Sequence, residues 1–131
     1  MPAAQGRQYP QQMVHFLRKS IAYTDNGSTL DIGTLPANSV IIMDASGVHV
    51  TTAFNGDATN TLDIGPSTDT GTNLWMTVGA LGTTTWVPFD EGVSLDVGTS
   101  DVLVQCKVVS TASASTGAAE IVICYVPDTD G

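Results

Sequence analysis

The groups in this sequence that could carry chemistry are few: two histidines, His15 and His49, two cysteines, Cys106 and Cys124, and one adjacent acidic pair, Asp90-Glu91. Catalysis needs a nucleophile or base held by an orienting partner, and histidine is the residue type that ordinarily titrates near neutral pH. His49 lies in Val48-His49-Val50, where strand alternation points it away from the apolar face. His15 stands at the start of a strand, and both read as exposed strand histidines. Glycosidase chemistry would need two carboxylates roughly 5–9 Å apart across a cleft. Adjacent strand residues project to opposite faces, and Asp90-Glu91, set between Pro88-Phe89 and Gly92, has the composition of a solvated turn. The sequence holds no Gly-x-Ser-x-Gly elbow, His-Glu-x-x-His, phosphate-cradling glycine loop or Cys-x-x-Cys pair. No catalytic, cofactor-binding or metal-ligating residue is expected, and the chain is read as something other than an enzyme.

Two cysteines are too few for a disulfide framework and lack metal-ligand spacing, so core thiols are the first reading. If 101–110 and 118–126 formed a hairpin centred near Ser115, residues 106 and 124 would be equidistant from its centre, and a cross-strand disulfide is the alternative. Leu-Asp-Ile-Gly units recur in Thr29-Leu30-Asp31-Ile32-Gly33, Thr61-Leu62-Asp63-Ile64-Gly65 and Ser94-Leu95-Asp96-Val97-Gly98. In a strand, Leu and Ile or Val point one way and Asp the other, with Gly closing the strand. A calcium role for the aspartates is not expected, because that ion takes six to eight oxygens from a tight loop.

The remaining candidates are for contact. Trp75 is out of phase with Leu74, Met76 and Val78, which turns it outward as a candidate anchor for a partner or a glycan. The other aromatics, Phe54, Trp86, Phe89 and Tyr125, could be sugar-stacking platforms or core, and each taken alone reads as core filling. Residues 1–13 contain four Gln, two Pro and no strand signal, and cannot bury enough apolar surface to order themselves. They read either as a frayed terminus or as an extended arm that orders on a neighbouring subunit, with Arg7, Tyr9 and Pro10 as its contacts.

The elements that must position these groups are strands. Thr (18), Val (14) and Ile (7) are abundant, and branched side chains fit a pleated sheet better than a helix. Short apolar runs bounded by Gly, Asn, Asp and Ser predict strands near 14–24, 28–33, 39–45, 48–54, 60–65, 72–78, 84–89, 93–97, 101–110 and 118–126. In the first, Leu17, Lys19, Ile21 and Tyr23 share one face, with Lys19 able to snorkel, and Phe16, Arg18 and Ser20 share the other. Asp25-Asn26-Gly27 and Ser46-Gly47 read as turns. The last two strands are apolar on both faces, as central or covered strands are. The fold class is all-β: an antiparallel β-sandwich, jelly-roll-like, of about eight to ten short strands, forming one domain over 14–131 behind the arm at 1–13.

Composition limits the partners. Four basic residues face thirteen acidic ones, a net charge of −9, and three of the four lie in the first nineteen positions. A binder of phosphate backbone gains affinity from Lys and Arg, so no nucleic-acid partner is expected. The N-terminal segment lacks the apolar stretch of a secretory signal and no run of eighteen apolar residues exists, so the expectation is no membrane and folding in a reducing cytoplasm. Charged residues make up only 13% of the chain. A surface so poor in charge is weak at keeping copies apart.

The runs Ser20-Ile21-Ala22-Tyr23-Thr24-Asp25, Thr29-Leu30-Asp31-Ile32-Gly33-Thr34-Leu35-Pro36, Ser39-Val40-Ile41 and Ala118-Ala119-Glu120-Ile121-Val122-Ile123-Cys124-Tyr125-Val126-Pro127 give the chain, from about Phe16 onward, a texture that resembles small virion proteins of tailed bacteriophages. Among these are jelly-roll cement or decoration proteins that bind the outside of an icosahedral shell and brace neighbouring capsid subunits. The resemblance implies a structural protein on the outer capsid surface, assembled in the host cytoplasm. Its partners would be the major capsid protein and further copies of itself as a dimer or trimer, and it would need no cofactor. The alternative is a tail-fibre or receptor-binding module holding carbohydrate through exposed aromatics such as Trp75.

Overall fold

The computed structural model describes residues 14–56, 60–67, 76–89, 97–110 and 113–127. They form nine strands: β1 (His15–Ala22), β2 (Thr29–Leu35), β3 (Val40–Ile41), β4 (Gly47–Thr52), β5 (Asn60–Pro66), β6 (Met76–Ala80), β7 (Trp86–Pro88), β8 (Val102–Ser110) and β9 (Ala118–Val126). Single 3-10 turns at Tyr23–Asp25 and Met43–Ala45 are the only helical pieces among the described residues. Of the predicted strand at 93–97, only Val97 is described, and it is not in a strand.

Two antiparallel sheets stack. The first, sheet A, runs β1-β9-β4-β7, with β3 also paired to β9; sheet B runs β2-β8-β5-β6. Leaving the short β3 aside, the chain changes sheet at every step except β5 to β6, which is the strand order of an eight-stranded jelly roll. The all-β, jelly-roll-like sandwich expected from the sequence is therefore the fold observed. The two strands apolar on both faces are central ones, β8 between β2 and β5, and β9 between β1 and β4.

Alternation fills the space between the sheets. Val104, Cys106 and Val108 from β8 meet Ile121, Ile123 and Tyr125 from β9, joined by Leu62 and Ile64 of β5, Val48 and Val50 of β4, and Ile21 of β1 in one buried cluster. Each fully buried Val, Leu or Ile contributes about 1.5–3 kcal/mol before ordering costs. Lys19 lies in phase with Leu17 and Ile21 and is half-buried, its stem following the core face. A charge pointing inward from an edge strand also discourages pairing of that edge with another chain.

Three sequence expectations are corrected. Strands β8 and β9 do not form a hairpin: they lie in different sheets, and Cys106 and Cys124 are both buried free thiols. Between the end of β8 and the start of β9 the chain changes sheet, and it enters β9 through Gly117, whose φ of +150° is in the glycine region and whose Cα is covered by the Phe54 ring. Ser46-Gly47 does not reverse the chain. Strands β3 and β4 both run antiparallel to β9 along the same side, as one strand interrupted by the turn Met43–Ala45. Finally, Gly33 and Gly65 sit inside β2 and β5 and do not end them. Gly33 is small because a Cβ there would stand 3.0 Å from Leu17 Cδ2. Only the third unit turns at its glycine, Gly98 (φ +96°), whose carbonyl accepts from Asn38 N–H at 2.6 Å.

Candidate functional site: an apolar outer sheet face

The groups considered for chemistry are not brought together. His15 sits against Tyr125 with ring centroids 5.7 Å apart, while His49 is exposed at the far end of the same sheet, opposite Glu120 and Trp86. Burial pushes the Cys106 thiol up to about 12, with the charge of Lys19 pulling the other way and Asp25 and Asp31 adding to the rise. Burial raises Cys124 as well. A thiol held protonated is a poor nucleophile and a poor metal ligand. Among the described residues, no three His, Cys, Asp or Glu side chains gather as a metal ion would require.

The first two Leu-Asp-Ile-Gly units are the two neighbours of β8. Leu30 and Ile64 face Cys106 from either side, and Asp31 and Asp63 face Gln105 and Lys107 on the outer surface of sheet B. Gln105 Nε2 donates to Asp31 Oδ1 at 2.8 Å. With Thr29, Thr34 and Thr61, these side chains make the outward face of β2, β8 and β5 mostly polar, around the half-buried Leu103 and Val109. The repeat thus serves one sheet.

The outer face of sheet A is different. Its cross-strand register sets out four rows. Val40 and Val126 make the first, with Val14 one residue before β1. Phe16 and Cys124 make the second. Arg18, Val122, Gly47 and Pro88 make the third, and Ser20, Glu120, His49 and Trp86 the fourth. Val14 (46%), Phe16 (59%), Val40 (47%) and Trp86 (42%) are the large hydrophobic side chains exposed among the described residues, and all four belong to this face. Cys124, although buried, lies on this side too, outside the core cluster. Scattered exposed apolar residues are ordinary, but a contiguous group on one sheet marks a contact surface.

Local structure keeps the face continuous. Where the Met43–Ala45 turn interrupts the strand, Ser46, fully buried, fills the gap: its Oγ donates to Ile42 O at 2.8 Å and accepts from Cys124 N–H at 2.9 Å. Beside it Gly47 lets β7 approach, for a Cβ at 47 would stand 2.5 Å from Val87 O and 2.9 Å from Pro88 Cα and from the Trp86 ring. Trp86 therefore covers the surface over Gly47. Across the third and fourth rows, Arg18 Nε donates to Glu120 Oε1 at 2.6 Å, and the two side chains form an ion pair. Glu120 is the one acidic side chain on the described strands of this face; Asp44 lies in the interrupting turn.

Of the contacts expected from sequence, Arg7, Tyr9, Pro10 and Trp75 lie outside the described residues, as do Asp90 and Glu91. The residues missed were Val14, Val40 and Trp86. Their signal was present in the alternation: in Trp86-Val87-Pro88-Phe89, Phe89 is buried and Val87 half-buried, while Trp86 and Pro88 are exposed.

No family model matches the chain and no curated protein matches it. Solved structures do. A chain in the capsid asymmetric unit of cyanophage Pam1 superposes with a TM-score of 0.64 at 19% identity, covering 97% of this chain and 99% of that one. A chain in the acid-stable capsid structure of Helicobacter pylori bacteriophage KHP30 superposes with a TM-score of 0.65 at 13% identity, covering 88% of this chain and 89% of that one. At these identities the shared property is the fold, and it is shared over nearly the full length of each chain.

Proposed function

We propose that this chain is a virion structural protein of a tailed phage: a decoration or cement protein that binds the outer surface of the head and braces neighbouring capsid subunits, without catalysis or cofactor. The observation that carries this reading is the jelly roll shared almost end to end with chains in two phage capsid structures. The physics agrees in two respects. A net charge of −9 keeps such a module away from packaged nucleic acid. A rigid sandwich repeated on a lattice also needs only modest individual contacts, because sites presented together raise the effective concentration. Residues 1–13, with Arg7, Tyr9 and Pro10, are the proposed anchor on the major capsid protein, and Trp75 a further contact.

Cryo-electron microscopy of the virion that carries this chain tests the reading. Density for the sandwich on the outside of the shell, bridging capsid subunits, is expected. Density confined to tail or baseplate, or saturable sugar binding on a glycan array, would instead identify a receptor-binding module.

A further inference from the structure

We infer that the outer face of sheet A is a self-association surface, occupied in solution by the same face of a second copy of this chain. Charge selects the face. With a net charge of −9, contact between copies is opposed wherever acidic side chains would meet. On the described strands of this face, however, the only charges are Arg18 and Glu120, already paired with each other. Two such faces can meet without net repulsion, and in a two-fold arrangement residue i of one copy meets residue j of the other and the reverse. Arg18 of each copy can then reach Glu120 of the other as well as its own.

Shape points the same way. A twisted sheet is best matched by a sheet of the same twist, and face-to-face packing at about 10 Å is the ordinary way two sheets bury their side chains. A second copy supplies that twist by construction. With strands of 8, 9 and 3 residues in β1, β9 and β7 and of 2 and 6 in β3 and β4, at about 3.3 Å by 4.8 Å per residue, the projected area is near 440 Å² per copy, or roughly 900 Å² for the pair. This is the size of a weak, transient interface, so the dimer should be concentration-dependent and not obligate. Phe16 and Trp86, on the two edge strands, are the aromatic anchors of such an interface.

Sedimentation equilibrium of the full chain tests this directly. The wild type should pass with concentration from 13.6 kDa to twice that mass. Phe16→Ser and Trp86→Ser should each weaken association about tenfold or more, with unchanged circular dichroism. Arg18→Glu and Glu120→Arg should each weaken it too, whereas an equimolar mixture of the two variants should form a heterodimer within about threefold of wild-type affinity. A dimer indifferent to Phe16→Ser and to both charge changes uses another surface and overturns the inference. A wild type that stays monomeric, while Phe16→Ser abolishes binding to purified shells, also overturns it: the face is then covered by the shell protein and the decoration reading survives.

Discussion

Replacing Ser46 with Ala should destabilise the domain by about 2–4 kcal/mol. The hydroxyl is fully buried and bridges the break between β3 and β4, donating to Ile42 O and accepting from Cys124 N–H. A net hydrogen bond contributes about 1 kcal/mol, so losing the one to Ile42 O accounts for about 1 kcal/mol. The rest comes from the Cys124 amide left without an acceptor inside the sheet, which costs about 1–3 kcal/mol unless a water replaces the hydroxyl. The missing oxygen leaves a space smaller than a methyl group, so water is a poor substitute there. Urea unfolding followed by circular dichroism at several protein concentrations would measure the loss. For a chain of this size, about 3 kcal/mol corresponds to a melting temperature roughly 10 °C lower. A change under about 0.5 kcal/mol would refute the view that this hydroxyl replaces the missing ladder bonds.

Gly47→Val should detach β7, because the nearest obstacles to a Cβ are the Val87 carbonyl and Pro88 Cα, backbone atoms that cannot rotate away. The expected cost is about 1–3 kcal/mol, with faster amide exchange at Val50 and Phe89, whose N–H groups donate to Thr85 O and Ser46 O; unchanged exchange there would contradict it. Alkaline stability is the third case. The native Cys106 thiol holds its proton to about pH 12 while the unfolded thiol releases it near 9.0. Above pH 9 the unfolded state therefore binds fewer protons, and stability, full below that pH, falls by up to about 1.4 kcal/mol per pH unit toward 12. Cys106→Val should flatten that limb of the curve, and parallel pH profiles for variant and wild type would sink the assignment.

The sequence made the strands legible and the paths between them illegible, for a physical reason. Period-two alternation is local, so β1, β2, β4, β5, β8 and β9 fall close to where branched residues and turn signals place them. Which sheet a strand joins is not local. The segment 111–117 is long enough either to close a hairpin or to cross the 10 Å between stacked sheets, and nothing in its Ala and Ser content distinguishes the two. The same holds at Ser46-Gly47, whose composition suits a reversal; only β9, far along the chain, reveals that the strand continues in one direction. Gly33 misled similarly, since the Leu17 side chain it accommodates belongs to another strand. For the candidate face, the phase of Phe16 and Arg18 was readable, whereas its union with Val40, Val126 and Trp86 needed the jelly-roll order.

That order also explains why the two outer surfaces differ so sharply. Threonine, aspartate, glutamine and lysine share the outward positions of β2, β8 and β5 with the half-buried Leu103 and Val109, and the exposed side chains among them, Thr29, Asp31, Thr34 and Lys107, are all polar. Sheet A places valine, phenylalanine, proline and tryptophan in the equivalent positions, in a chain whose charged content is only 13%. Leaving that cluster in water forgoes about 25 cal/mol for every Å² of apolar surface that a partner could cover. Among the described residues the aspartates lie on sheet B and in loops and turns, so like-charge repulsion between copies is weakest over the outer face of sheet A.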